Sequence, residues 1–244
     1  MKNRYPERIV CLTEETTETL YLLGQEHRIV GISGFTVRPP RARKEKPRVS
    51  AFLSAKTDRI VDLKPDLVLG FSDLQADIAA ELIRQGLEVH LFNHRSVDEI
   101  FRTIAVLGGM IGCEGKTTEL LAELERGVEK VRSAAATLPR RPKVFFEEWD
   151  EPLISAIRWV SELIEIAGGE DCFPELAACS LGKDRIIADP LEVVRRKPDI
   201  IIGSWCGKKF RAEKVAQRPG WEEVPAVVNG QLHEIKSPLI LQPG

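Results

Sequence analysis

The chain is 244 residues long and 43% hydrophobic, enough apolar content to fill one large core or two modest ones. Its formal charge of −2 argues against general nucleic-acid binding, and no apolar run reaches the roughly 18 residues needed to span a bilayer. Five cysteines, Cys11, Cys113, Cys172, Cys179 and Cys206, show no Cys-x-x-Cys spacing, so neither a disulfide framework nor a zinc knuckle is indicated.

The opening residues enter a strand with no positively charged leader followed by an apolar stretch. As written the chain reads as cytoplasmic, and as periplasmic or extracellular if it is a mature form. Residues 8–12 form a buried strand, and a helix over 13–23 closes at Gly24. Thr13-Glu14-Glu15-Thr16 reads as a capping box, the threonine oxygen meeting an orphan amide and the glutamates favouring the positive helix end. A second strand over 28–32 leads into a loop over 33–48 that carries Arg38, Arg41, Arg43, Lys44, Lys46 and Arg48 against Glu45. Such a run suits a solvated loop, or a contact with an anionic ligand or partner. A helix over 56–63, a strand over 67–70, a helix to 85, a strand over 86–92 and a capped helix from Ser96 follow. This alternation predicts a parallel sheet flanked by helices.

Residues 112–138 read as one long helix. Leu120, Leu124, Val128, Val131, Ala135 and Leu138 step by four and three along one face. Glu123/Arg126 and Glu129/Arg132 lie a turn apart on other faces, and Pro139 and Pro142 end the pattern. Roughly 25 helical residues span about 37 Å, which makes this a bridge between an N-terminal lobe, 1–111, and a C-terminal lobe, 139–244.

A repeat supports two lobes. Lys64-Pro65-Asp66 precedes the apolar run Leu67-Val68-Leu69-Gly70, and Lys197-Pro198-Asp199 precedes Ile200-Ile201-Ile202-Gly203. Proline disfavours helix in the residue before it, so in each case a helical turn stops and a buried strand starts. This reads as duplication or its structural equivalent, although Lys-Pro-Asp also punctuates α/β chains generally. The second half continues with a strand over 143–146, helices over 160–167 and 191–196, a strand over 200–203 and a last strand over 231–235.

Ligands of open parallel sheets sit beyond the carboxyl ends of the strands. Those ends carry Thr13, Glu14, Phe35, Phe52, Phe71, Ser72 and Asp73 in one half, and Glu147, Glu148, Trp149, Asp150, Trp205 and Ser237 in the other. Large flat side chains there suit a large, partly apolar ligand, and each also suits ordinary packing. Trp159 and Trp221 fit the core better. Crowded carboxylates repel one another unless a cation or a basic residue such as Arg158 intervenes, which disfavours an anionic ligand and permits a neutral or cationic one.

Arg8-Ile9-Val10 with Thr17-Glu18, Gly31-Ile32-Ser33 with Pro39-Pro40, and the run from Asp58 to Gly70 resemble the N-lobe of the helical-backbone (class III) periplasmic binding proteins. These deliver cobalamin, haem and ferric siderophores to ABC importers. Glu148-Trp149-Asp150-Glu151-Pro152, Trp159 to Ile164, Ala167-Gly168-Gly169, and Arg218-Pro219-Gly220-Trp221 with Val224 to Val227 are similar to the cobalamin-binding branch. The resemblance implies an α/β fold of two lobes bridged by one helix, with cobalamin or a related corrinoid captured between the lobes. Phe35, Phe52 and Phe71 stand at positions similar to the family's corrin-flanking aromatics. It also implies docking of acidic side chains on an ABC permease, for which Asp58 and Glu213 are the candidates. Glu14 and Glu15 depart from the family, where proline or small residues are common, and the family's final helix is expected to be absent after Gln242.

No intrinsic cofactor, metal site or catalytic residue is expected. His94, after the strand over 86–92, suits either a metal or cobalt ligand or a polar loop position, and there is no His-x-x-x-His pair, Gly-rich phosphate loop or Gly-x-Ser-x-Gly elbow. The competing readings are an enzyme like the class II chelatases acting on a tetrapyrrole, a haem or ferric-siderophore binder, and a cytosolic corrinoid handler without a transporter.

Overall fold

The computed structural model describes residues 4–243. The chain divides into two compact units, one of Met1–His94, Asp98–Leu124 and Gln242–Gly244, the other of Arg95–Val97 and Glu125–Leu241. The division falls at Leu124 within the 22-residue helix Glu114–Ala135.

The N-terminal unit holds strands β1 (Ile9–Cys11), β2 (Ile29–Ser33), β3 (Arg48–Ala51), β4 (Ser54–Ala55), β5 (Leu67–Phe71) and β6 (Val89–Phe92) in the order β4-β3-β2-β1-β5-β6. All neighbours are parallel except the β3–β4 hairpin. Wholly apolar strands belong in a sheet covered on both faces, and Val10, Leu12, Val49, Ile60, Val68 and Leu82 form its core. Phe71 pairs with Phe92, so the carboxyl ends of β5 and β6 finish level.

In the C-terminal unit, β7 (Lys143–Glu147), β10 (Glu170–Asp171), β11 (Ile200–Gly203) and β12 (Leu232–Glu234) form a fully parallel sheet in the order β10-β7-β11-β12. The antiparallel pair β8 (Trp149–Asp150) and β9 (Leu153–Ile154) projects just after β7. Gly203 aligns with Glu147 on one side and Glu234 on the other, which brings three strand tips into one row. Phe145, Phe173, Ile201, Trp205 and Trp221 lie at the heart of its core.

The repeated Lys-Pro-Asp segments do the same work in both units. Lys64 and Lys197 adopt left-handed backbone, φ 47° and 50°, and so end the preceding helical turns. Asp66 then accepts the amides of Glu7 and Arg8, each at 2.8 Å, ahead of β1. Asp199 accepts the amide of Lys143 at 2.8 Å, at the start of β7. The aspartate is thus a clip that sets the register of the strand beside the one it opens.

The long helix is shorter than its sequence pattern. Gly112 has φ 66° and belongs to the turn before it, and beyond Ala135 single bonds such as Thr137 N–H to Ala134 O replace the helical ladder. Thr117 is its one buried residue among those described, seated against Gly108, where an added Cβ would come within 2.0 Å of the threonine hydroxyl. Leu120, Leu124 and Val128 are half-buried and Val131 is exposed, so the apolar stripe is only partly covered. The Glu129–Arg132 pair forms at 3.1 Å.

The basic segment after β2 is not a plain solvated loop. It contains the short helix Ala42–Glu45, Arg38 pairs with Glu18 at 2.6 Å, and Arg41 pairs with Glu26 at 2.8 Å while lying over the Tyr21 ring. Among the described residues no helix is long and apolar enough to cross a membrane.

Candidate functional site

At the strand tips of the N-terminal unit, the predicted capping box is replaced by a buried acidic pair. Thr13 is the N-cap of the helix Glu14–Leu22, but its hydroxyl donates to the Glu15 carboxylate instead of receiving a backbone amide. Glu15 is buried, which pushes its carboxyl up to about 8 with some help from the neighbouring Glu14 charge. Glu14 is also buried, and desolvation raises its carboxyl despite the 2.7 Å hydrogen bond donated by Ser33. These glutamates are therefore interior groups at a strand end, not solvated helix-cap charges.

Beside them the aromatics gather. Phe35 follows Ser33, whose hydroxyl accepts the Phe35 amide at 3.1 Å, and its side chain is 56% exposed. Phe52 is half-buried with its ring 6.5 Å from that of Phe71, and Phe71 lies 4.7 Å from the ring of His94. Gln75 ties these segments together, accepting the Phe71 amide at 3.0 Å and donating to the Phe52 carbonyl at 2.9 Å. Ser72 is buried with φ 69° and caps the turn that carries Gln75. His94 lies in the loop after β6, where it is buried with its Nδ1 3.1 Å from the Thr103 hydroxyl.

In the C-terminal unit, Glu147 is fully buried at the tip of β7. Arg218 grips both of its oxygens at 2.6 and 2.7 Å, and the Trp205 indole donates to it at 2.9 Å. Burial pushes the carboxyl up while the guanidinium and the indole pull it down. Glu148 is likewise held by Arg185, whose side chain is buried, at 2.7 and 3.0 Å. Neither carboxylate is left uncompensated, and the compensating cation is not Arg158, which is exposed and pairs with Glu162 at 2.9 Å on its own helix.

Trp205 lines the cavity beyond the tips of β11 and β12 and is at the same time built into the core. It is 4% exposed, packs edge-on against Phe210 at 5.0 Å and belongs to the core cluster. Trp149 is half-buried at the start of the β8–β9 hairpin, with its indole donating to the Glu151 carbonyl and Lys208 Nζ 4.1 Å from its ring centroid. Trp159 and Trp221 are buried. Asp58 and Glu213 are both exposed, on the helices Thr57–Asp62 and Ala212–Ala216 of their respective units. No local pattern marks Gln75 or Lys208, and Arg218 lies before Pro219 with nothing nearby in sequence to reveal its pairing with Glu147.

Parallel α/β units whose polar and aromatic side chains collect at strand tips define a small-molecule-binding protein. Residues 9–239 match the periplasmic binding protein family, and the chain belongs to it. That family consists of substrate-binding proteins and not enzymes, which sets aside the chelatase-like reading. The chain is 23% identical over 248 residues to the ABC transporter substrate-binding lipoprotein YvrC of Bacillus subtilis strain 168, covering 98% of this chain and 76% of that one. It is 22% identical over 247 residues to the vitamin B12-binding protein of Vibrio parahaemolyticus, covering 100% and 86%. Its fold is similar to that of the periplasmic haem-binding protein RhuT from Roseiflexus sp. RS-1 in apo form, with a TM-score of 0.84, 22% identity, and coverage of 98% and 92%.

Proposed function

We propose that this substrate-binding protein serves an ABC importer and captures a large, flat metal chelate, with a corrinoid such as cobalamin as the first reading. The observation that carries it is the aromatic rim of the N-terminal unit, where Phe35 stands 56% exposed at a strand tip beside the Phe52–Phe71 pair. An exposed phenylalanine next to buried polar groups gains most from a ligand with a broad apolar face. Thr13, Glu14 and Ser72 line the same tips as candidate polar contacts, and Trp149 and Arg158 are candidates in the C-terminal unit. The vitamin B12-binding relative supports the corrinoid reading, and the fold shared with a haem-binding protein supports haem as the second. On this reading the chelate is cargo, not a cofactor, and Asp58 and Glu213 are the acidic groups offered to a permease. The place of work is then outside the cytoplasmic membrane, in keeping with the names of the relatives.

The test is a titration of the purified protein with cyanocobalamin, haemin and a ferric siderophore, following tryptophan fluorescence. Saturable quenching at micromolar cyanocobalamin is the expected result. Quenching by haemin alone replaces the first reading with the second, and no response to any of the three removes the chelate-binding reading.

A further inference from the structure

Two of the rim aromatics in the N-terminal unit sit on separate pieces of chain. Phe71 ends β5, and Phe52 lies in the turn between β3 and β4. Their rings hold each other loosely, with centroids 6.5 Å apart and an interplanar angle of 48°, near the outer limit for an aromatic pair. A main-chain clamp joins the two segments more firmly. The Gln75 carboxamide accepts the Phe71 amide at 3.0 Å through Oε1 and donates to the Phe52 carbonyl at 2.9 Å through Nε2.

The surroundings of Gln75 are shaped for this contact. It is fully buried in the short turn Asp73–Gln75, which Ser72 caps by accepting the Leu74 amide at 3.2 Å. Gly70 leaves the room the carboxamide occupies, since a Cβ there would come within 2.5 Å of Oε1. A carboxamide carries an acceptor and a donor on one planar group, which is what an amide on one side and a carbonyl on the other require. Either main-chain group, buried without its partner, would bear a desolvation cost, so the two contacts hold the segments together. Phe71 is 8% exposed and backed by the His94 ring at 4.7 Å, whereas Phe52 is half-buried, which makes Phe52 the outer member of the row.

We infer that Gln75 is a positioning residue of the aromatic rim, acting from behind it through Phe52 and holding that ring where a flat cargo meets it. The inference rests on the chelate-binding reading and adds to it a side chain on which the grip depends. A surface binds more tightly when its contact groups are fixed before the ligand arrives, because the ordering cost is then already met in folding. Without the clamp, the turn that bears Phe52 is left with the two-residue pairing of β3 and β4, Ser50 with Ala55 and Ala51 with Ser54, and the ring has to be ordered at each binding event.

Gln75→Glu and Gln75→Met test it, each alone and combined with Phe52→Ala, in titrations with cyanocobalamin and haemin. Each affinity is taken relative to the wild type at the same pH. Burial raises the pKa of a carboxyl placed at this position, so at about pH 5 its protonated form can accept the Phe71 amide and donate to the Phe52 carbonyl as the carboxamide does. At about pH 8 the ionised form only accepts, and it faces the carbonyl oxygen. Gln75→Glu is expected to bind like the wild type at the lower pH and about tenfold more weakly at the higher, and Gln75→Met about tenfold more weakly at both. Neither is expected to lose further affinity once Phe52 is alanine. Thermal melts establish that each variant is folded; should Gln75→Met fail to fold, the two-pH comparison of Gln75→Glu decides alone. Affinities that ignore both substitution and pH, or losses that add to that of Phe52→Ala, overturn the positioning role while leaving chelate binding intact. An unchanged affinity in Phe52→Ala removes that ring from the rim and the role with it. A wild type that binds neither ligand removes the chelate reading itself, and the role falls with it.

Discussion

Removing the Arg218 guanidinium isolates one buried ion pair of the C-terminal unit. Glu147 is fully buried, and Arg218 supplies two of its hydrogen bonds, at 2.6 and 2.7 Å, leaving only the Trp205 indole at 2.9 Å. Deleting one partner of a buried pair leaves an uncompensated charge, typically worth about 3–5 kcal/mol, whereas replacing both with apolar or neutral groups is often close to neutral. Arg218→Ala is therefore expected to lose about 3–5 kcal/mol at pH 7, and Glu147→Gln/Arg218→Met to recover most of it. All four tryptophans, at 149, 159, 205 and 221, lie within Glu125–Leu241, so urea unfolding followed by tryptophan fluorescence reports this unit selectively. The pH dependence carries a sign. Burial already raises the folded-state pKa of Glu147, and losing Arg218 raises it further, so the variant's penalty is absent below the unfolded pKa of about 4.5 and grows as pH rises above it. A loss in Arg218→Ala below about 1 kcal/mol, or a double variant as unstable as the single one, would refute the view that the pair is electrostatically coupled.

Trp205→Ala is expected to cost about 3–5 kcal/mol in the same unfolding assay, because it empties a core position 4% exposed and strips Glu147 of its indole donor; near-wild-type stability would refute a packing role for the ring. Glu15 has its carboxyl pushed up to about 8, so it stabilises the fold when protonated, and stability is lost as pH rises from about 4.5 through 8. Glu15→Gln is accordingly expected to melt above the wild type at pH 9 and to flatten the profile, and thermal melts from pH 5 to 9 check this. Phe35→Ala removes a side chain 56% exposed, so stability is expected to stay within about 0.5 kcal/mol while affinity for the bound chelate drops about tenfold; unchanged affinity by titration would remove Phe35 from the rim.

The alternation of apolar strands and helices was readable because it is local: parallel strands buried on both faces announce themselves as short unbroken apolar runs. The Lys-Pro-Asp repeat was readable for the same reason, since the proline restricts its neighbour within one turn. What the aspartates do was not readable, because Asp66 reaches back to Arg8 and Asp199 to Lys143 across the chain. At the strand tips the same limit hides each residue's surroundings. Thr13 and the glutamates after it fit a capping pattern, and only the packing of β2, which delivers Ser33 to Glu14, shows them to be interior. Trp205 reads as a rim residue from its place after a strand-ending glycine, and it does line the cavity at that tip while packing into the core. Its burial depends on Phe210, which fills the space above Gly203 so closely that an added Cβ would lie 1.8 Å from the ring.

The charge of the ligand is where this difference matters most. Taken along the sequence, Glu14, Glu15, Glu147 and Glu148 crowd the strand tips with negative charge and speak against an anionic cargo. In three dimensions Glu147 is matched by Arg218, 71 residues away, and Glu148 by Arg185, 37 residues away, separations no local pattern can reveal. Glu15 is largely protonated at neutral pH, and burial moves Glu14 in the same direction. The acidic excess is thus an artefact of counting residues without their partners. With these partners counted, the glutamates no longer speak against a cargo carrying an oxyanion, whether a carboxylate or a phosphodiester.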